Sequence, residues 1–391
     1  MLLNRHYHIN FKHYFESPLS KLELSVWLLT FGRSLVSIFI PIILLQMGFS
    51  LTNVILFFVI LNIIDLPLNL LSKRLIIKYG AVRIIFLGII FSIISLIILY
   101  FGDLNFNVLI VLAIALAGYD AFYWVAHWFV FNECIVLDKK TGKKVSSMMI
   151  VRNLAVLIAP LIGAGMLIFL NKNYLLIISI AIILSSLLPL LKLDLKYTIS
   201  DKRMKWDKFF SYKKNIKDYI FIFLRKFNDE AELVILPIFI FITFKSIESI
   251  GLISAIAMTI SILSTYLVGK WTDKFNNNFL ILLGSLFLGI VWILRLAIPT
   301  ISIIYITTIF VGFLVVLLNI PIDSNLIRNS KKTSMIEVST YRNFIGMLGS
   351  FLFYLILFFS VKVFNLSFTI TALAMFSLSL ISALVIKFKK W

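Results

Sequence analysis

Long apolar stretches recur along the whole chain, and short polar segments separate them. Each stretch is about 20 residues long, the length that a helix needs to cross the ~30 Å hydrocarbon core of a bilayer. The stretches are apolar on all faces and lack the period-two alternation of membrane barrel strands, so they predict helices. Twelve spans are predicted, near residues 22–47, 51–72, 82–101, 107–131, 147–170, 174–192, 217–243, 247–269, 278–298, 301–322, 338–361 and 366–386.

Composition agrees with a membrane protein. Hydrophobic residues make up 61% of the chain and charged residues 14%, whereas a soluble domain has about 45–50% and about 25%. The single cysteine, Cys134, excludes a disulfide within the chain and a multi-cysteine metal site. Three histidines of the N-terminal tail lack carboxylate or thiol partners at ligand spacing. We therefore expect no metal and no cofactor.

The net charge of +19 is placed unevenly. Lysine and arginine collect in every second connection, for example at Lys73, Arg74 and Lys78, whereas the intervening connections hold few basic residues. This asymmetry predicts a plasma-membrane protein with both termini in the cytoplasm, where basic residues face anionic lipid headgroups. Nucleic acid is not an expected partner.

The two halves of the chain repeat each other. Pro237 follows Pro41 by 196 residues, and Arg342-Asn343 follows Arg152-Asn153 by 190 residues. A duplicated apolar unit is typical of transporters in which one half rocks against the other. We expect a cytoplasmic tail at 1–21, a six-helix bundle at 22–192, a linker at 193–216, a second six-helix bundle at 217–386 and a tail at 387–391. The basic, aromatic linker predicts a surface helix that acts as a tether or as a lipid sensor.

Charged residues deep in the spans point to function, because an ionised group at the bilayer centre needs a partner or a wet cavity. Arg33 lies near the middle of the first span. Polar stripes at helical spacing occupy three further spans. They comprise Asn62, Asp65 and Asn69; Asp120, Tyr123, Trp124 and His127; and Arg225, Asn228, Asp229 and Glu232. The alternative is a structural ion-pair network with interfacial aromatic residues.

Two short motifs resemble those of the major facilitator superfamily. The segment from Gly269 to Phe275 resembles the loop signature G-x-x-x-D-[RK]-x-G, although Ile77 replaces the acidic residue in the first-half copy. The segment from Ala159 to Gly165 is similar to the G-P-x-x-G-G signature of drug/proton antiporters, and Gly163 and Gly165 predict close helix packing. The resemblance implies an all-α fold of twelve membrane helices in two pseudosymmetric six-helix bundles. It also implies that the first, fourth, seventh and tenth helices surround a central cavity.

These residues suggest roles. Arg33 could hold Asp120 or Glu232 ionised, and these two acids are the first candidates for proton coupling, followed by Asp229 and Asp65. Tyr123 and Trp124 could stack on a substrate. For the cytoplasmic gate we expect a pair between Asp273 and Arg152 across the halves; the alternative is that Arg152 reaches lipid headgroups. Lys274 and Arg342 complete the expected gate.

The leading hypothesis is a monomeric secondary transporter that works by alternating access and exports a small amphipathic molecule with proton coupling. Its expected partners are that substrate, a proton or another coupling ion, and membrane lipids. The main alternative is proton-coupled uptake of a sugar, nucleoside or peptide. A non-transporting scaffold is a weaker alternative, because it would not need buried charges in both halves. An enzyme that acts on lipid is also weaker, because protease and paired-aspartate metal signatures are absent from the sequence. ATP-driven transport is not expected, since the chain has no P-loop.

Overall fold

The computed structural model describes residues 18–103, 105–136, 141–191, 213–330 and 335–388, and within these ranges the chain is helical and has no strand. The predicted N-terminal tail and the surface helix of the linker lie largely outside the described residues. Helices of the first half begin with α1, which runs through Pro18–Val36, a 3₁₀ turn at Ser37–Phe39, and Ile40–Gln46.

The remaining helices of the first half follow without long loops. They are α2 (Leu51–Tyr79), α3 (Ala81–Phe101), α4 (Phe106–Tyr119, a π-helical turn at Asp120–Trp124, and Val125–Val136), α5 (Thr141–Phe169) and α6 (Lys172–Ser185 with Leu187–Leu191). Polar caps start several of these helices. Ser50 accepts from the backbone N–H of Asn53, and Asn171 accepts from that of Tyr174, so donors that lack helical partners are satisfied.

The second half repeats this order. It comprises α7 (Lys213–Glu230, a π-helical turn at Ala231–Ile235, and Leu236–Phe244), α8 (Ile247–Lys274), α9 (Asn277–Ala297), α10 (Ile301–Ser330), α11 (Met335–Phe358) and α12 (Val363–Phe388). Short connections make successive helices antiparallel. We call the end of the bundle where α1 begins and α12 ends the terminal face, and the other end the opposite face.

Eleven helices of the described chain are long and apolar enough to cross a membrane. The exception is α7, because five charged residues fall within the eight positions 225–232. Glu230 shows how such charges are accommodated: its carboxylate accepts hydrogen bonds from Ser350 at 2.6 Å and from Tyr354 at 2.7 Å, both on α11. α7 thus packs inside the bundle partly through polar contacts, and the described part of the chain forms twelve helices.

The halves meet mainly along two helix pairs, α2 with α11 and α5 with α8, with smaller contacts between α4 and α11 and between α1 and α7. On the first pair, Phe58 stacks on Tyr354 with ring centroids 4.8 Å apart, and Asn343 donates a hydrogen bond to Asn69. Nearer the terminal face, Lys73 forms an ion pair with Glu337 at 3.5 Å. Polar contacts therefore join the halves on the α2–α11 side.

Close backbone approaches join helices near the opposite face. A Cβ added at Gly251 of α8 would lie 3.1 Å from the carbonyl oxygen of Pro160 on α5, and one added at Gly163 of α5 would clash with the carbonyl oxygen of Leu35 on α1. The expected close packing is therefore found at Gly163. It is not found at Gly165, where an added Cβ would meet nothing within 4 Å.

Candidate substrate-binding cavity

A cavity of about 310 Å³ lies between the two halves. Its walls come from α4 and α5 of the first half and from α7, α8, α10 and α11 of the second. Along α10 the lining begins at Thr308 and ends at Asp323, which corresponds to a length of about 22 Å at 1.5 Å per residue. The cavity is thus long and narrow, with its axis along the helices.

The first-half wall is aromatic. On α4, successive rings four residues apart stack nearly parallel: Tyr119 on Tyr123 at 5.5 Å, Tyr123 on His127 at 5.4 Å, and His127 on Phe131 at 6.2 Å. Side chains at this spacing share one face of a helix, so the column follows from the helical repeat. The end of the column nearer the terminal face, formed by His127 and Phe131, lines the cavity together with Trp124 and Trp128.

A π-helical turn at Asp120–Trp124 interrupts α4 within this column. Such turns insert one residue into the helix and rotate the side chains that follow. Gly88 of α3 packs against this turn, since an added Cβ would lie 2.6 Å from the backbone nitrogen of Tyr123. The neighbouring helix therefore fixes the turn that presents Trp124 to the cavity.

The second-half wall is ionised. Asp323 of α10 lies between two arginines, 3.5 Å from Arg225 of α7 and 3.2 Å from Arg342 of α11. Asp229 lies 3.6 Å from Arg225, one helical turn further along α7. These four side chains are at most 22% exposed. Three helices are therefore joined by one network of charges at the terminal end of the cavity.

A second ion pair stands closer to the opposite face. Glu232, within the π-helical turn of α7, accepts a hydrogen bond from Arg295 of α9 at 2.5 Å. Arg295 is fully buried and also donates to Thr307 and Thr308 of α10. The carboxylate of Glu232 reaches the cavity and is 15% exposed, whereas Arg295 supports it from behind.

Two cavity arginines lie over tryptophan rings. The guanidinium of Arg342 is 4.2 Å from the ring centroid of Trp128, and that of Arg152 is 5.4 Å from the ring centroid of Trp124. The Arg342–Trp128 contact crosses from the second half to the first. An arginine over an indole face is an attractive cation–π arrangement, so the aromatic and ionised walls touch at the terminal end.

The model of the Major Facilitator Superfamily matches residues 22–354, which is most of the chain. The chain belongs to this superfamily. Its members are transporters rather than enzymes, so the chain is a multi-pass secondary transporter that acts on a small molecule. No curated protein matches the chain.

Several predicted residues of this superfamily member meet at the cavity. They are Trp124, His127, Arg152, Arg225, Asp229, Glu232 and Arg342. Of the four helices that the resemblance placed around the cavity, α4, α7 and α10 line it and α1 does not. Lys274 is exposed at the terminal end of α8. The side chain of Asp273 lies outside the description, so its expected pair with Arg152 remains a prediction.

Four other predicted residues lie behind the aromatic wall. Arg33 stands 4.1 Å above the ring of Tyr119 and donates to Ser92 at 3.4 Å. It lies within electrostatic range of Asp120, whereas Glu232 is paired with Arg295. Tyr123 is buried within the column, and Asp65 is fully buried on α2.

Asp65 belongs to a hydrogen-bonded chain that crosses between the halves. Its Oδ2 accepts a hydrogen bond from Asn69 at 3.0 Å, and the side-chain oxygen of Asn69 accepts one from Asn343 of α11. The other carboxylate oxygen of Asp65 has no hydrogen-bond partner among the described atoms. A titratable group of the first half is thus connected to the interface with the second.

Arg295 was missed by the sequence reasoning. It stands in the last turn of an otherwise apolar helix, a position from which arginine usually reaches the membrane surface. The available signal was the pair of adjacent threonines, Thr307 and Thr308, in an early turn of the following helix. Among the described side chains, no group of three or more His, Cys, Asp or Glu residues is placed to hold a metal ion.

Proposed function

We propose that this transporter carries a small amphipathic molecule through the cavity by alternating access and exports it in exchange for protons. The observation that carries the proposal is the pairing of an aromatic wall on α4 with an ionised wall on α7, α10 and α11. The apolar part of an amphipathic molecule can contact the aromatic wall, and its polar part can contact the ionised wall. The direction of transport rests on the antiporter-like segment from Ala159 to Gly165.

The contacts between halves support a rocking movement. Near the opposite face, α5 and α8 approach backbone to backbone at Gly251. Nearer the terminal face, the α2–α11 contacts are one ion pair and one side-chain hydrogen bond. The polar groups of these contacts can form hydrogen bonds with water once the halves separate. The halves can therefore separate at the terminal face while the opposite face stays packed.

Three carboxylates are proposed to couple protons. Glu232 is reached from the cavity and ion-paired with Arg295, whereas Asp65 and Asp120 have no lysine or arginine nitrogen within 4.0 Å in the described chain. A buried carboxylate without a cationic partner favours the protonated form, and a partner or water favours the ionised form. Movement of the halves would switch Asp65 between these conditions through Asn69 and Asn343.

The test is a flux assay in proteoliposomes with an imposed proton gradient and a panel of amphipathic compounds and nutrients. The unmodified transporter should drive uphill flux of at least one compound. Asp65→Asn, Asp120→Asn and Glu232→Gln should each reduce gradient-driven flux by at least tenfold. Counterflow exchange without a gradient should persist in at least one of them.

The matched control is Asp103→Asn, which removes an exposed carboxylate from the loop between α3 and α4. Its flux should equal that of the unmodified transporter. Gradient-driven flux that survives all three buried substitutions would refute the coupling assignment.

Nutrient uptake is a second candidate, because a column of stacked rings on α4 also suits a sugar or a nucleobase. Direction separates the two. Vesicles of both orientations, given the same proton gradient, distinguish exchange of substrate against protons from transport of both in the same direction. Accumulation of a sugar or nucleoside together with protons would favour uptake over export.

A further inference from the structure

We propose that the substrate is a monoanion, an amphipathic carboxylate-type molecule whose anionic group binds Arg152 with Arg225 and Arg342, and whose apolar body lies on the aromatic wall. The inference rests on the proposed function, because it names the substrate class of the same cavity. Its first support is the charge of the terminal end of the cavity, and its second is the long pairing distances of Arg225 there.

Positive charge exceeds negative charge at the terminal end. Three arginines line it, whereas the two acidic residues there, Asp229 and Asp323, are both engaged by Arg225 or Arg342. Arg152 lines the cavity, and no carboxylate lies within 4.0 Å of it among the side chains that the structure describes, which do not include that of Asp273. Counted over those side chains, the terminal end has three cations and two anions, and an uncompensated charge inside a membrane bundle is costly. A bound monoanion would neutralise it.

The arginines at the terminal end make few hydrogen bonds to their carboxylates. The Nε and Nη1 atoms of Arg225, which face Asp229 and Asp323, and the Nε atom of Arg342 are buried and make no hydrogen bond in the described chain. The ion-pair distances of Arg225, 3.5 and 3.6 Å, are too long for hydrogen bonds. A carboxylate offers acceptors only, whereas an ammonium offers donors only. With three arginines and two carboxylates at this end of the cavity, a carboxylate substrate is favoured over an ammonium.

The body of the substrate is constrained by the rest of the cavity. Trp124, Trp128 and Phe131 present ring surface, and a volume of about 310 Å³ accommodates two fused rings with a short polar group. His127 Nδ1 and Asn319 Oδ1 also lack partners among the described atoms. These polar atoms suit a hydroxyl group on the body, which can donate or accept.

The first experiment measures binding to the full-length transporter in phosphatidylcholine nanodiscs. Four probes form a matched set: 1-naphthoate, 1-naphthylmethanol, 1-naphthylmethylammonium and acetate. We expect 1-naphthoate to bind at least tenfold more tightly than each of the other three. Equal or tighter binding of the ammonium would overturn the assignment of charge. Equal binding of acetate would overturn the role of the aromatic wall.

Variants test the arginine directly. Arg152→Gln should weaken 1-naphthoate binding about tenfold to a hundredfold, because a charge-assisted hydrogen bond is lost. Arg152→Lys should restore part of the affinity, and neither change should affect 1-naphthylmethanol. Arg83→Gln is the matched control, since Arg83 is exposed at the start of α3, away from the cavity. Unchanged naphthoate affinity in Arg152→Gln would overturn the proposal.

Two further arms separate other outcomes. If phosphatidylglycerol added to the nanodiscs competes with 1-naphthoate, an anionic lipid headgroup occupies the site, and the proposal of a soluble substrate fails. Flux in proteoliposomes reports on transport independently of binding. Transport of a cationic compound with no affinity for 1-naphthoate would refute the substrate class and leave the transport function intact.

Discussion

Helices α1 and α7 hold equivalent places in the two halves, and the turn that precedes the proline differs between them. Pro41 and Pro237 are 196 residues apart, and the same offset places the 3₁₀ turn Ser37–Phe39 over the end of the π-helical turn Ala231–Ile235. A 3₁₀ turn is narrower than an α-helix, and a π-helical turn is wider. The halves thus share the proline position and differ in local winding.

The difference decides which helix reaches the cavity. α7 supplies Arg225, Asp229 and Glu232 to its lining, whereas α1 supplies none. At the position equivalent to Asn228, α1 has Gly32, where an added Cβ would lie 2.8 Å from Ile183 of α6. α1 is therefore packed tightly within its own half, while α7 is held by polar bonds. The comparison suggests that α1 acts as framework and α7 as a binding helix.

The largest expected effect is on the polar support of α7. Arg295→Leu leaves the carboxylate of Glu232 without its cation, and breaking such a buried pair costs about 3–5 kcal/mol. Unfolding by sodium dodecyl sulfate in mixed micelles, followed by tryptophan fluorescence, measures the loss. Arg295→Leu combined with Glu232→Leu should recover most of it. A double variant as unstable as the single one would contradict the pairing.

A smaller effect is expected where α1 meets α5. Gly163→Ala places a methyl group against the backbone oxygen of Leu35, and overpacking of this kind costs about 1–3 kcal/mol. Gly165→Ala is the matched control two residues away and should change the free energy of unfolding by less than about 0.5 kcal/mol. Equal stability of the two variants would show that α1 and α5 can separate without cost.

Loss of the hydrogen bond between Asn228 of α7 and Trp292 of α9 should lower the free energy of unfolding by a somewhat smaller amount. Asn228 accepts a hydrogen bond from the indole nitrogen of Trp292 at 2.9 Å, and both side chains are buried. Asn228→Ala leaves the indole N–H of Trp292 without an acceptor, which should lower the free energy of unfolding by about 1–2 kcal/mol. The same substitution in a Trp292→Phe background should cost less, because phenylalanine has no donor. A cost that does not depend on residue 292 would reject this contact as the cause.

The smallest effect should come from the charge on α1. Arg33→Lys keeps the positive charge and loses the planar stacking on Tyr119, for a cost of about 0.5–1 kcal/mol. Arg295→Lys provides the comparison, since Arg295 donates to Glu232, Thr307 and Thr308 at once. We expect it to lose clearly more stability in the same assay. A larger loss of stability in Arg33→Lys than in Arg295→Lys would contradict this comparison of α1 with the polar support of α7.

The helices could be predicted because the length of each apolar stretch matches the length of a membrane-spanning helix. The stretches at 82–101 and 278–298 differ by about one residue from Ala81–Phe101 and Asn277–Ala297. The end of α2 was less predictable: the apolar stretch ends near 72, and the helix continues through basic residues to Tyr79. Hydrogen bonds within the helix do not stop where hydrophobicity does.

The cavity was predictable only in part. Charges within apolar spans identified Arg225, Asp229 and Glu232, since an ionised group in a bilayer is costly unless it has a partner or faces a water-filled cavity. The two π-helical turns have no residue signature, so the sequence could not indicate that Trp124 would face the cavity and Tyr123 would not. Similarly, Arg295, the partner of Glu232, is 63 residues away in the sequence and on a different helix. Helical spacing predicts contacts only between residues three or four positions apart.

The close approaches along α5 have a mechanical consequence. Within five residues of the chain, Pro160 and Ala164 meet Gly251 of α8, and Gly163 meets Leu35 of α1. A helix clamped on two sides near one end behaves as a lever with its fulcrum there. A tilt of about 10° about that point would move the far end of a helix ~30 Å long by about 5 Å. Arg152 lies about 15 Å from the clamped segment, so the same tilt would move it by about 3 Å, and the terminal end of α5 would move most.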